Sequence, residues 1–277
     1  MESVAGKVVF ITGASAGIGA ELARVFAAHG ATIVATGRRT ERLKSLTSEL
    51  IQHGHTALGI TCDVTRDGDL DRAIAETLER FGRLDILVAN AGFGVVGAFH
   101  ELSLDDFQRQ FDTNVWGVLR TIYAGWKALA KTQGRIAILS SVSGYVASPR
   151  IAPYAMSKFA VQGLAGSLSY ELADYRISLT TLCPGFVDSE IRRVDNVGAF
   201  QENVVDPIPR WLTMPTNKAA RQMLRAIMDR KPEAIITGHG KALVWIQRHL
   251  PCLLRFLIHR FKRGGYRTAL SRFDAGS

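Results

Sequence analysis

With 277 residues, 47% of them hydrophobic and 21% charged, the chain is long enough for one large α/β domain with a filled core and has ordinary globular composition, so disorder is not expected. Its net charge of +9 is uneven: Met1 to Thr216 carries 21 basic and 22 acidic residues, whereas Asn217 to Ser277 carries 13 and 3, so a nearly neutral body ends in a basic tail. Cys62, Cys183 and Cys252 are far apart and lack Cys-x-x-Cys spacing, which argues against a disulfide framework or zinc knuckle and for a reducing compartment.

The N-terminus shows no cationic stretch before an apolar run of signal-peptide length, and Val8 to Thr12 reads as a buried strand, so a cytoplasmic protein is expected. Directly after it comes Thr12-Gly13-Ala14-Ser15-Ala16-Gly17-Ile18-Gly19, then the helical pattern from Glu21. A glycine-rich turn between a strand and a helix suits a dinucleotide: Gly13 permits the tight turn, Gly17 lets backbone approach a pyrophosphate, Gly19 allows close packing, and the helix N-terminus offers N–H groups to the anion. Ser15, Ala16 and Ile18 fall within the same loop. After a second strand, Thr32 to Thr36, the chain has Gly37-Arg38-Arg39 where an acidic residue would bind a ribose 2′-hydroxyl. Two guanidinium groups suit a 2′-phosphate, so NADP(H) is expected over NAD(H), against the alternative that both arginines are solvated and Glu41 takes the acidic role.

Further strands are expected at Thr56 to Thr61, Leu84 to Ala89, Arg135 to Ser140, Ser178 to Cys183 and Ala234 to Thr237, with helical patterns between them. Runs such as Ile86-Leu87-Val88, apolar on both faces, imply a doubly wound Rossmann-type α/β fold: a parallel sheet of about seven strands, helices on both faces, and a C-terminal helical extension. Residues 1–238 are expected to form the catalytic domain and 239–277 a basic amphipathic extension. Between Phe186 and Pro215 the pattern breaks down around Pro207, Pro209 and Pro215, as it would in a substrate lid over about 186–215.

Tyr154 and Lys158, four apart in a helical stretch, place a phenol beside an ammonium, and a cation at that distance favours the ionised phenol. Such spacing also fits a solvated pair, and it gains force only from the residues around it. Taken together these residues resemble the classical short-chain dehydrogenases/reductases over about Gly6 to Gly238. Thr12 to Gly19 is similar to the family's cofactor loop, Asp63-Val64 to its adenine contact, and Asn90-Ala91-Gly92 to the turn after its fourth strand. Asn114 resembles the helix asparagine, and Ser141, 13 residues before Tyr154, the serine. Pro184-Gly185 with Val187 and Ser189 resembles the nicotinamide-side turn, with serine where threonine is more usual.

The resemblance implies hydride transfer between NADP(H) and a carbonyl or alcohol, with Tyr154 exchanging the proton and Ser141 polarising the oxygen. Lys158 would lower the tyrosine pKa and hold the nicotinamide ribose, and Asn114 would hold a relay water. Ser140 and Ser143 compete with Ser141, but strand alternation turns Ser140 to the opposite face. Cys183 is expected to be an inert buried thiol. The histidines show no metal-ligand spacing, so no metal is expected. The resemblance also implies a dimer or tetramer built on the helices of Asp106 to Ala130 and Tyr154 to Asp174. It sets Phe93, Val95, Val96, Ser143, Tyr145, Val146, Phe186, Trp211 and Met214 on the substrate side; they are mostly apolar, with no arginine clamp for a small acid, so a lipid-, steroid- or long-chain-like carbonyl or alcohol is expected.

The tail has apolar stretches of at most five residues, too short for a bilayer span of about 20 residues. Pro251 should divide it into two helices whose apolar side, with Trp245, Leu250, Leu253, Leu254, Leu257, Ile258 and Phe261, is flanked by Arg and Lys. Such helices can lie on a membrane surface, pack on their own core, cover the substrate entrance or form a dimer contact. Nucleic-acid binding is not expected, there being no recognition module. The rival to an enzyme is a catalytically idle NADP-binding scaffold or a membrane-recruited binding module.

Overall fold

Four-residue runs of β-branched and large apolar side chains can bury both faces only between two layers of helix, and the computed structural model, which describes residues 3–262, has that arrangement. Seven strands, β1 (Val8–Ile11), β2 (Thr32–Gly37), β3 (Ala57–Thr61), β4 (Ile86–Ala89), β5 (Arg135–Leu139), β6 (Ser178–Cys183) and β7 (Glu233–Ile235), form one parallel sheet in the order β3-β2-β1-β4-β5-β6-β7. Alternation along β1 feeds two cores. Val9 and Ile11 join α1 (Gly17–Ala28), α2 (Thr40–Gln52) and α7 (Thr216–Met228) on one face; Val8 and Phe10 join α3 (Asp69–Phe81), α5 (Gly117–Thr132) and α6 (Ala152–Ala173) on the other. Phe10 and Phe26 are fully enclosed in opposite cores, each burial stabilising by about 1.5–3 kcal/mol.

Two strand boundaries differ from expectation by two residues because a polar side chain intervenes, the others by at most one. β4 starts at Ile86 rather than Leu84, since Asp85 serves as an anchor: its carboxylate accepts from the Val8 N–H (2.9 Å) and from Arg83 (2.8 and 2.6 Å). β7 ends at Ile235 rather than Thr237 because Thr237 caps α8 (Gly238–His249), its hydroxyl accepting from the Gly240 N–H (3.2 Å).

β1 sends its crossover toward β2 and β3, whereas β4 leads toward β5, β6 and β7, so the sheet has a switch point between β1 and β4. The loops leaving the C-terminal ends of these strands diverge there and open a crevice. Residues 186–215 form an irregular segment with short 3₁₀ turns at Glu190–Arg193 and Arg210–Leu212, and its first half, from Val187 to Phe200, lines the crevice. Its two ends are zipped by the Val187↔Met214 bridge, with Met214 N–H donating to Phe186 O and Asp188 N–H to Met214 O. Pro251 separates α8 from α9 (Pro251–Lys262).

Candidate active site

The crevice is a cavity of about 510 Å³. Its floor is the glycine turn. Gly13 has φ +67°, and a Cβ there would lie 2.8 Å from Ala91 Cα; one on Gly19 would lie 2.5 Å from Asn90 Nδ2. Asn90 explains the crowding: its Nδ2 donates to Thr12 O (2.8 Å) and Gly13 O (3.2 Å), while the Thr12 hydroxyl accepts from the Asn90 and Ala91 N–H groups. The turn after β4 is thereby locked onto the turn after β1. Extended Ala16 precedes α1 and gives it no side-chain cap, leaving the helix N–H groups to an anion.

Helix α6 supplies a phenol and an ammonium. Pro153 in its first turn presets the entry, and Tyr154 and Lys158 follow one turn apart. The Tyr154 hydroxyl is hydrogen-bonded to that of Ser141, which is held after β5 by accepting from the Ser143 N–H (3.0 Å). Burial raises the Tyr154 pKa, opposed by the Ser141 hydrogen bond and the positive charge of Arg192. Lys158 Nζ donates to Leu139 O (2.7 Å) and lies 5.6 Å from the Tyr154 ring centre; burial pushes it down to about 8. Two cations thus stand near the phenol: Lys158 beside its ring, as the spacing along α6 suggests, and Arg192 from the irregular segment 186–215. Arg192 is itself held by Asp206 (2.7 Å) and by Val187 O (3.0 Å). Cys183 is pushed up by burial to about 11 and stays a thiol at neutral pH.

Asn114 stands behind the wall, fully buried in a π-helical turn, Asp112–Trp116, that joins α4 (Leu104–Phe111) to α5. Its Oδ1 accepts from the Phe93 N–H (3.1 Å), and its Nδ2 donates to Phe93 O (3.0 Å) and Ser157 Oγ (3.3 Å). One turn earlier Gln110, also fully buried, accepts from the Val95 N–H (2.7 Å) and donates to Phe93 O (2.9 Å). This pair fixes the backbone at Phe93 and Val95, after Gly92. Gln110 was missed in the sequence because a single glutamine on a polar helix carries no signal.

Most residues expected to contact the cofactor come together on the cavity wall: Gly13, Ser15, Ala16, Gly17, Ile18 and Gly19; Arg38 and Arg39; Val64; Asn90, Ala91 and Gly92; Tyr154 and Lys158; and Pro184, Gly185, Val187 and Ser189. Asp63 is not on the wall: its half-buried carboxylate accepts from the Thr65 N–H (3.0 Å) and hydroxyl (2.8 Å), while Cys62 and Val64 line the wall.

The substrate side is different. Among the described wall residues Phe93 is present, whereas Val95, Ser143, Tyr145, Phe186, Trp211 and Met214 are not. Val95 is buried behind the wall. Tyr145 turns away to donate to Glu233 under Arg248, whose guanidinium lies 5.2 Å above its ring. Phe186 stacks on His239 (5.3 Å) and its N–H donates to His239 Nε2 (2.9 Å). Met214 packs on the α1–α7 core, and Trp211 is 84% exposed. The irregular segment contributes Glu190, Ile191, Arg192, Val194, Val197 and Phe200 to the wall instead. An irregular segment has no periodicity from which its inward residues could be read.

The short chain dehydrogenase family model matches residues 7–198. This chain belongs to the short-chain dehydrogenase family. Oxidoreductase UcpA of Escherichia coli K12 is 37% identical over 211 residues, 75% of this chain and 78% of that protein. The 11-beta-hydroxysteroid dehydrogenase A of Sesamum indicum is 34% identical over 233 residues, 81% and 66% of the respective chains. Among solved structures, a short-chain dehydrogenase/reductase from Burkholderia phymatum in complex with NAD superposes with TM-score 0.81 at 25% identity, covering 92% of this chain and 97% of its own. An alcohol dehydrogenase from Thermococcus sibiricus complexed with 5-hydroxy-NADP gives 0.73 at 28%, covering 83% and 95%. As a short-chain dehydrogenase the protein is an oxidoreductase, and its family neighbours hold NAD in one case and an NADP derivative in the other.

Proposed function

We propose that the protein is an NADP(H)-dependent oxidoreductase acting on the carbonyl or secondary alcohol of an apolar substrate of lipid, steroid or long-chain type. The observation that carries this is the Tyr154–Ser141 hydroxyl pair set beside a buried lysine at the inner end of a glycine-floored cavity. The residues fit the cofactor: Gly13 and Gly19 have no room for a Cβ, the start of α1 is uncapped, and Arg38 and Arg39 line the outer end with Ser15, whose hydroxyl accepts from Arg39 Nε (3.1 Å). When bound, the nicotinamide supplies or takes up the hydride.

Tyr154 then gives a proton to the carbonyl oxygen in reduction and removes one from the alcohol in oxidation. The Ser141 hydroxyl orients and polarises that oxygen. Lys158 holds the nicotinamide ribose and refills the phenol with a proton, and Asn114 positions the relay behind it. Ile191, Val187 and Phe93 give the cavity apolar walls, in keeping with a greasy substrate and with the steroid named for the Sesamum relative. The protein associates with a second copy through α5 and α6, whose exposed faces carry Tyr123, Phe159 and Tyr170.

One further feature favours a membrane surface. Trp245, Leu253 and Phe256 are exposed on α8 and α9 beside Lys241, Arg255 and Arg260, a mixture that suits an anionic lipid interface. No helix among the described residues is long and apolar enough to cross a membrane. An NADPH-oxidation screen over ketones of graded chain length, with and without anionic vesicles, tests the assignment. Rates that climb with chain length support it; turnover of small polar carbonyls alone overturns the apolar substrate.

A further inference from the structure

The outer end of the cavity holds more positive charge than Arg38 and Arg39 supply. Arg42, in the first turn of α2, stands just behind that corner, and between Arg39 and Arg42 sits a carboxylate from the irregular segment, 148 residues further along the chain than Arg42. Glu190 accepts from Arg42 Nη1 at 2.7 and 2.8 Å and from Arg39 Nη1 at 3.1 Å, while Arg39 Nε reaches Ser15 of the glycine turn. Burial works to raise the Glu190 carboxyl, and the hydrogen bonds from Arg42 and Arg39 overcome it, holding it below the ordinary carboxylate range. Glu190 is therefore an anion at neutral pH in a cluster shaped for anions.

The same corner grips the first half of the lid twice more. Arg38 Nη2 donates to Gly198 O (3.3 Å), and Phe200 lies between two guanidinium groups, Arg42 at 5.2 Å and Arg193 at 5.0 Å. Phe200 is held in place by the Val194↔Phe200 bridge. Glu190 is thus the charged link in a tether between the β2–α2 corner and residues 190–200.

We propose that Glu190 is a specificity-determining residue that competes with the cofactor's 2′-phosphate for Arg39 and Arg42, so that a phosphorylated cofactor releases the lid's tether and an unphosphorylated one leaves it in place. Two anions cannot share the donors of one guanidinium fork at hydrogen-bond distance without a like-charge penalty. A dianionic phosphate that takes the donors of Arg39 and Arg42, with Arg38 and Ser15 beside them, displaces the monoanionic carboxylate, and some of its binding energy goes into breaking the Glu190 contacts. A free 2′-hydroxyl makes no such demand. Glu190 accordingly narrows the preference for NADP(H) that the arginines create, and it makes the position of the lid depend on which cofactor is present. This rests on the assignment of Arg38 and Arg39 to the 2′-phosphate.

The test is the affinity of the full-length protein for NADP⁺ and NAD⁺ by titration calorimetry, in wild type, Glu190→Gln and Arg39→Ala, together with amide hydrogen exchange of residues 190–201. Glu190→Gln keeps the size of the side chain and removes its charge. The expected result is a rise of about tenfold in the NADP⁺-to-NAD⁺ affinity ratio, the order for one partly exposed charge-assisted contact. Exchange at 190–201 rises in wild type with saturating NADP⁺, does not rise with NAD⁺, and is already high in Glu190→Gln without cofactor. A ratio that stays level or falls in Glu190→Gln, while Arg39→Ala weakens NADP⁺ binding, overturns the competition and leaves the NADP(H) assignment standing. Exchange that does not respond to NADP⁺ overturns the lid release. If Arg39→Ala binds NADP⁺ as tightly as wild type does, the phosphate assignment itself fails, and the Glu190 proposal with it.

Discussion

A lysine buried to 5% exposure with its ammonium on the Leu139 carbonyl is expensive to keep, and Lys158 is such a residue, beside the Tyr154 ring. Its pKa is pushed down to about 8 from the ordinary 10.5. Between those values the unfolded chain holds a proton that the folded chain has released, so this group's contribution to stability rises with pH across that window; below about 8 the fold carries the full cost of the buried charge. Lys158→Met should therefore stabilise the cofactor-free protein at pH 7 by ~1–3 kcal/mol while abolishing turnover. Thermal melts of both proteins from pH 7 to 10 check this: the gap should shrink as pH rises, and a variant less stable at every pH would contradict it. The pair on α6 was legible in the sequence because one helical turn sets its spacing. The effect of Arg192 on the phenol was not, because a lid arginine 38 residues after Tyr154 shares no periodic element with it.

At the scale of elements, the strands could be read because a parallel strand buried on both faces must be a continuous apolar run, as in β1 and β4. The glycine turn was legible because the residue types that permit a positive φ and close approach are few: Gly13 at φ +67° against Ala91 is such a position. Gly13→Ala should lower stability by about 1–3 kcal/mol and abolish cofactor binding, measured by denaturant titration and calorimetry. The π-turn around Asn114 was not legible, since Asp112-Thr113-Asn114-Val115-Trp116 continues a helical pattern and only the side-chain bonds to Phe93 and Ser157 mark the register change. Asn114→Ala leaves the Phe93 N–H without its acceptor and should cost ~1–3 kcal/mol of stability together with a fall in kcat, whereas Asn114→Asp should keep that acceptor and more of the stability. Equal losses in the two variants would contradict this role.

For the whole molecule, composition separated a neutral body from a basic tail but could not say how they join. α8 is tied to the body through buried Val244, through Arg248 on Glu233 (3.0 Å) and through His239 against Phe186. Tyr145, expected at the substrate, is part of that joint by way of Glu233. Removing residues 251–277 therefore tests the extension without dismantling the sheet, whereas a cut at 239 removes a packed helix. The shortened protein should keep its activity on a soluble ketone within about twofold and lose cosedimentation with anionic vesicles; vesicle binding unchanged by the cut, or abolished only by high salt in both proteins, would remove α9 from membrane contact. Residues 263–277, the remainder of the basic tail, lie outside the described residues.

The most direct test of hydride transfer with Tyr154 as the proton donor uses NADPH deuterated at the transferring position, an apolar ketone, and the wild-type and Tyr154→Phe proteins. Wild type should place deuterium on the carbinol carbon of the product. Tyr154→Phe should bind NADPH with unchanged affinity and turn over slower by about 10²–10⁴-fold. Equal turnover in the two proteins, or product alcohol without deuterium, would contradict the account.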